Sequence, residues 1–355
     1  MNEKTNLPDS ILHHMPWDAH SNPIWPASSF FLYRNIANYP FPNKLDETKS
    51  LQLLTSLQKC LLALQELKNP IYIPAESLSP HEKEFLCEHF LCLDGWQNAS
   101  KGQAFVVDDS SHFLATLNVT DHITLQWVDC KGDWEKAWEA LNKIEISIGN
   151  ELEYAFSTQF GYLSNNLSVC GTSLVIYCYL HLPALILSEK LPGLLLSSLG
   201  DNVQSSGLFR NDNFIGDFIV LKNTFTIGIT EESILKYLQK AALQLVLAEK
   251  EERLHYKKSP SIELKDKISR AYGLFIHSYQ LDTKEALNAL SQIKLGIDLE
   301  WIKGITDEEV NELFFRCRRA HLLQSHEKIS LDKRALSQAR AEYLHKKLQK
   351  AILQF

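Results

Sequence analysis

Apolar positions along the chain fall into two periods, and the switches between them mark out its elements. Residues 1–24 form a polar, proline-bearing arm. The run Ser28-Ser29-Phe30-Phe31-Leu32-Tyr33-Arg34-Asn35-Ile36 is then apolar and aromatic without helical spacing, as in a buried strand. Leu51, Leu54, Leu57, Leu61 and Leu64 recur at helical spacing, which predicts an amphipathic helix over 46–68 capped by Asp46. Ser79-Pro80-His81-Glu82 opens a second helix with a capping box and a proline in its first turn. Alternation returns in 104–108, 112–117 and 122–127, predicting antiparallel strands, the last two joined as a hairpin over Asn118-Val119-Thr120-Asp121. Period two puts His122, Thr124 and Gln126 on one face, and Ile123, Leu125 and Trp127 on the other. Trp134, Trp138, Leu141, Ile144, Ile148 and Leu152 make one stripe of a helix over 133–153, a core face rather than an aromatic ligand box.

A turn-rich loop, Ser164–Thr172, feeds the apolar run Leu174–Leu187, expected to be helical up to the His181-Leu182-Pro183 step. A strand pair is expected within Ser205–Gly228, then a helix from Thr230 to about Glu252. The charged, proline-containing stretch 250–261 divides the chain, and everything beyond it has helical spacing, with capping-box starts at Asp282/Glu285 and Thr306/Glu309. The expected layout is an arm (1–24), a mixed domain of antiparallel sheet and helices (25–254), and an all-helical C-terminal domain (255–355). The fold class is α+β.

At 355 residues with 45% hydrophobic and 22% charged positions, the chain can bury two full cores. A formal net charge of -7 argues against nucleic acid or an anionic membrane as main partner. The longest apolar run is broken by His181 and Pro183 and is shorter than the roughly 18–20 residues a membrane span needs. MNEKTNLPDS has no basic-then-apolar signal pattern, and seven scattered cysteines without a CxxC pair fit reduced thiols in a cytosol. No zinc spacing, P-loop, GxGxxG, HExxH or G-x-S-x-G occurs, and His13 and His14 are weak as metal ligands.

The stretch Gly161–Leu185, GYLSNNLSVCGTSLVIYCYLHLPAL, carries a specific resemblance. It resembles the GYLT-x-CPTN-x-GTGLRASV-x-x-HLPAL core of the bacterial protein arginine kinases, within the ATP:guanido phosphotransferase family. Gly171 and Thr172 keep the frame, while Asn166 falls on the reactive cysteine and Val175 on a phosphate-binding arginine. The strand at 28–36 resembles the family's SSRIRLARN, one residue shorter, with Phe30 on its first arginine and Arg34 on its last. The hairpin resembles NEEDH followed two residues on by arginine. Asn118, Asp121 and His122 match; Val119 and Thr120 replace the glutamates, and Thr124 the arginine. A nucleotide-touching histidine falls on Phe90, and His89 beside it points about 100° around a helix. Ser205 falls on a further arginine and Arg210 on a catalytic-loop glutamate. LKDKISRAYG (264–273) and LSQIKLGIDLEWIKG (290–304) resemble the family's C-terminal domain, which dimerises and carries an Arg-Asp-x-x-Arg-Ala pocket for phosphoarginine. Here that pocket reads Arg334-Ala335-Leu336-Ser337-Gln338-Ala339, within a basic run, Lys333–Lys350, expected to be a solvated helix face.

The resemblance implies a guanido-kinase fold, and Mg-ATP as co-substrate if activity is retained. Moving a γ-phosphoryl group to a guanidinium needs positive charge around the phosphates and a carboxylate to orient the acceptor and take its proton. Before Arg253 the chain contains two arginines, Arg34 and Arg210, so a clamp of several arginines cannot exist there. The expectation is a cytoplasmic pseudokinase, a homodimer, kept as a binding or regulatory subunit in protein quality control. The alternatives are an active kinase with a rebuilt site or an activator protein, and a dimeric adaptor for the Clp protease system.

Overall fold

The computed structural model describes residues 5–14, 22–92, 96–209, 213–325 and 332–355. In chain order the first part runs α1 (Asp9–His13), β1 (Ala27–Arg34), α2 (Glu47–Ala63), β2 (Ile71–Pro74), α3 (Pro80–His89), β3 (Ala104–Val107), β4 (Phe113–Leu117), β5 (Ile123–Asp129) and α4 (Trp134–Glu151). A two-residue hairpin follows, β6 (Phe156–Ser157) and β7 (Gly161–Tyr162). Then come β8 (Leu174–His181), α5 (Pro183–Leu187), α6 (Leu191–Ser198), β9 (Val203–Gly207), β10 (Phe218–Asn223) and the long α7 (Glu231–Lys258). The remainder is α8 (Ile262–His277), α9 (Thr283–Asp298), β11 (Ile302–Lys303), α10 (Asp307–Arg316), α11 (Arg319–Ser325), α12 (Lys333–Leu348) and β12 (Ile352–Leu353).

Eight strands make one antiparallel sheet in the order β2-β3-β4-β5-β1-β8-β10-β9. Capping chemistry starts the helices where the sequence places them. Asp46, Asp133 and Thr230 accept from the amides of Lys49, Lys136 and Ser233, and Ser79 and Thr306 close full capping boxes with Glu82 and Glu309. α7 runs past Glu252 to Lys258, so the expected boundary stretch is mostly helix.

One element reverses the sequence expectation. Leu174–His181 is a strand, not a helix, and all eight of its residues are buried. It lies between β1 and β10 with a helical layer on each face, so both of its faces must be apolar. A strand buried on both sides loses its alternation and reads like a buried helix; the aromatic and β-branched Val175, Ile176, Tyr177 and Tyr179 were the available sign.

The two faces belong to two separate apolar clusters. The first holds Phe30, Leu32, Ile123, Leu125, Leu174 and Ile176 with α2, α4 and α7. The second holds Phe31, Val128, Val175, Tyr177, Tyr179 and Val220 with α3, and continues into the C-terminal helices through Ala286, Leu290, Phe314 and Phe315. The C-terminal half therefore shares a core with this second face.

The His181-Leu182-Pro183 step is a fastener between the halves. The Arg253 guanidinium donates to the His181 carbonyl at 3.1 Å, and His181 Nε2 lies 2.8 Å from Ser291 Oγ, which donates to Asp217 at 2.5 Å. The amides of Ala184 and Leu185 donate to Glu249, which is paired with Arg253 at 2.7 Å. Burial pushes Glu249 and Asp217 up and His181 well down.

Candidate functional site

Residues directly opposite in an antiparallel pair share a face, so the register fixes which side chains meet. Thr124 pairs with Tyr33 and Thr116; Gln126 with Phe31; Phe31 with Val175; Tyr177 with Lys222; and Lys222 with Gln204. Thr124, Phe31, Tyr33, Val175, Tyr177, Lys222, Gln204 and Ser206 therefore lie on one face, the one covered by α3 and the C-terminal helices. The candidate site is the end of this face beside the hairpin turn 118–121.

This register corrects two expectations. Phe30, matched to the first arginine of the family's strand, points to the opposite face, where it is fully buried 5.2 Å from the Trp134 ring. The strand is one residue short, and a slip of one flips every side chain; Ser29, Phe31 and Tyr33 hold the site-facing positions. Ser205 is likewise on the Leu221 side, and its neighbours Gln204 and Ser206 face the site. Arg210 lies outside the described residues.

Of the remaining replaced positions, Thr120 and Thr124 come together. Thr120 Oγ1 lies 3.4 Å from Thr124 Oγ1, so a hydroxyl pair stands where the family pattern has a carboxylate and an arginine. Val175 is buried beside Phe31, whose ring meets Tyr177 edge-on at 5.5 Å and stacks on Tyr33 at 6.3 Å. Asn166 is exposed, and its Oδ1 accepts from the Ser168 amide at 3.1 Å and hydroxyl at 2.9 Å, shaping the loop. Phe90 is fully buried at the end of α3, held to the sheet by Gln126 Nε2 donating to its carbonyl at 2.5 Å and by Tyr179 Oη donating to that of Leu91 at 2.9 Å. His89 turns the other way and stacks on Phe85 at 5.7 Å and on His321 of α11 at 6.1 Å.

The matching residues do different work. Arg34 is buried, its Nε bonded to Glu145 at 2.7 Å, one amino group to the Thr172 carbonyl at 3.1 Å, and its guanidinium 3.5 Å from the Tyr162 ring centroid. Asn118 donates to the Gly102 carbonyl. The Asp121 carboxylate accepts from Asn35 at 2.5 Å, the Asn165 amide at 2.8 Å and the Ser164 hydroxyl at 3.1 Å, and burial pushes its pKa up. His122 Nδ1 accepts from the Ile36 amide, so Nε2 carries the proton and donates to the Pro40 carbonyl at 2.8 Å; burial lowers its pKa. Gly171 has φ +108°, and a Cβ there would sit 2.1 Å from the Thr226 carbonyl oxygen, which also accepts from the Thr172 amide at 2.9 Å. Arg334 is exposed in the first turn of α12.

Among the described strand residues on the site face, Lys222 is the one Lys or Arg, its Nζ 5.7 Å from the Tyr177 ring. A triphosphate with magnesium needs several such charges, and the described strand residues of this face supply one. Sequence reasoning missed Tyr33, Tyr177 and Lys222; alternation along 174–181 would have found Tyr177 had that run been read as a strand.

The eight-stranded sheet, flanking helices and appended helical half define a guanido-kinase-type architecture. Solved structures agree. A duplicated taurocyamine kinase from Schistosoma mansoni, solved with transition-state-analogue components, superposes with a TM-score of 0.59 at 17% identity, over 77% of this chain and 41% of that one. The chain thus spans less than half the length of that duplicated enzyme. Lombricine kinase gives a TM-score of 0.56 at 18% identity, over 70% of this chain and 72% of that one.

Residues 53–252 match the ATP:guanido phosphotransferase C-terminal catalytic domain, and residues 261–354 match the protein-arginine kinase McsB C-terminal domain. A protein-arginine kinase from Chlamydia pneumoniae is 35% identical over 94% of this chain and 93% of its own length, and one from Chlamydia muridarum is 30% identical over 98% and 99%. The chain belongs to the protein-arginine kinase family of ATP:guanido phosphotransferases.

Proposed function

We propose that this family member works as a pseudokinase, a cytoplasmic binding or regulatory subunit in protein quality control, and not as a phosphoryl-transfer enzyme. The observation that carries this reading is the Thr120–Thr124 pair, 3.4 Å apart, in place of a carboxylate and an arginine. A threonine hydroxyl cannot take the guanidinium proton near neutral pH, and losing one such group typically costs about 10² to 10⁴ in rate. Phe31, Tyr33 and Val175 supply no charge to phosphates on the same face. Titration of Mg-ATP and Mg-ADP into the purified chain at low salt is the test. No heat up to about millimolar nucleotide is expected; affinity in the roughly micromolar range would overturn the reading.

A second reading, an active kinase with a rebuilt site or an activator protein, draws support from the two chlamydial relatives named as kinases. It requires phosphoarginine formation on a protein substrate by the purified chain, alone or with the activator. A homodimer joined through the C-terminal helices, serving as an adaptor to the Clp protease system, is compatible with the first reading. Truncation at residue 255 is a poor test of it, because the C-terminal helices share a core with Val175, Tyr179 and Val220. Removing them would expose the apolar sheet face that they cover.

A further inference from the structure

A cleft at the seam of the two halves has a lining that includes neither Thr120 nor Thr124. Its volume is about 490 Å³, within the roughly 300–1,000 Å³ of small-molecule sites. α3 lines it with Glu84, Cys87, Glu88 and Leu91, the sheet with Tyr179, and the chain after β9 with Leu208 and Phe209. The C-terminal half contributes Thr283 and Lys284 from the first turn of α9, and Arg318 and Arg319 before and at the start of α11.

The charges sort by partner. Glu84 is bound by Arg319. Glu88 accepts from the Ala320 and His321 amides at 3.3 and 3.2 Å and lies 2.8 Å from His321 Nδ1, so it is turned onto α11. Arg318 donates its Nε to the Phe314 carbonyl at 3.1 Å, rests 5.1 Å from the Phe315 ring centroid and lines the cleft with the rest of its guanidinium beside Glu88. Lys284, exposed, adds an ammonium in the first turn of α9, whose N-terminus is already capped by the Asp282 carboxylate. Three cations thus face two carboxylates, and both carboxylates are already bound by protein donors. Tyr179, Leu91, Leu208 and Phe209 give the rest of the wall an apolar and aromatic character.

We propose that this seam cleft binds a small organic anion, a phosphate or carboxylate carried on a planar or apolar body, with Arg318 and Lys284 holding the anionic group. Arg318 presents a planar fork suited to either oxyanion, and Lys284 a point charge. The body lies against Leu91, Tyr179, Leu208 and Phe209. Because both halves line the cleft, the ligand braces the seam.

The test is calorimetric titration of 1-naphthyl phosphate and 1-naphthoate into the full chain, with uncharged 1-naphthol as control. At least one anion is expected to bind more than about tenfold tighter than naphthol, and the tighter of the two identifies the head group. Lys284→Glu and Arg318→Gln are each expected to weaken that binding about tenfold or more. Lys284 is exposed, so Lys284→Glu keeps the fold even if Arg318→Gln does not. The proposal is overturned if neither anion gives saturable heat, if naphthol binds as tightly as the anions, or if Lys284→Glu binds like the parent chain.

Discussion

The two sides of the hairpin at 118–121 differ in what their residues do. On the inner side, the residues that match the family pattern are all embedded: Asn118 and Asp121 accept or donate within the scaffold, His122 bridges Ile36 and Pro40, and Arg34 is locked against Glu145 and Tyr162. On the outer side, Thr120, Thr124, Val175 and Asn166 stand where charge and nucleophile belong in the pattern, and what they offer is hydroxyl, methyl and amide. The match survives wherever a residue holds the chain together. At Thr120, Thr124, Val175 and Asn166 the residue differs from the family pattern. The proposed loss of chemistry would leave the family fold intact, because the two tasks rest on different side chains of the same short motif.

The hardest break of that comparison is on the inner side. Arg34→Ala leaves Glu145 buried without its partner and removes the guanidinium from the Tyr162 ring, so a loss of about 3–5 kcal/mol is expected in urea unfolding. An effect under about 1 kcal/mol would mean that Arg34 is not structural and is available to a ligand. Gly171→Ala comes next. Its φ of +108° is strained for any side chain and its Cβ would collide with the Thr226 carbonyl, so about 2–3 kcal/mol is expected by the same measurement.

Much of this scaffold is legible in the sequence, and the reason is local. Caps at Asp46, Ser79, Asp133, Thr230 and Thr306 are set by residues three positions apart, and the hairpin at 118–121 by its flanking alternation. What is not legible depends on neighbours distant in the chain. β8 reads as a helix because both its faces are buried, and Phe30 and Ser205 read as site residues because nothing in the sequence fixes their register against Trp127 and Leu221. The cations at the seam cleft, Lys284 and Arg318, lie outside every motif; only packing of the C-terminal helices against α3 brings them near Tyr179.

A smaller effect, spread over several residues, separates the buried seam from the open site through pH. Burial lowers the pKa of His89, His112, His122, His181 and His321, and both ring nitrogens of His89 lack a partner. Their unfolded values lie near 6.5, so the unfolded chain takes up protons first as pH falls. Stability contributed by these neutral rings is full above about pH 6.5 and is lost progressively below it. Asp121, Asp217 and Glu249, pushed up by burial, take up protons first in the folded chain and flatten the loss below about pH 5. Urea midpoints measured from pH 7.5 down to about 5 should fall, and His89→Phe should reduce the slope. A midpoint that stays flat over that range would place these rings in contact with water.

The smallest expected effect lies on the outer side, and it sharpens the comparison most. Thr124→Val removes one weak hydroxyl contact at 3.4 Å and puts a methyl among Tyr33, Thr116 and Phe31, so the stability change should stay within about 1 kcal/mol. Thr124→Arg restores a cation on the site face, yet Thr120 still offers no carboxylate and Phe31 and Val175 no further charge. Nucleotide affinity should gain less than about tenfold and phosphoarginine should not form. If that single arginine brought turnover, the cleft would hold a proton acceptor and phosphate donors beyond the described residues, and the replaced positions would be a rebuilt site and not an erased one.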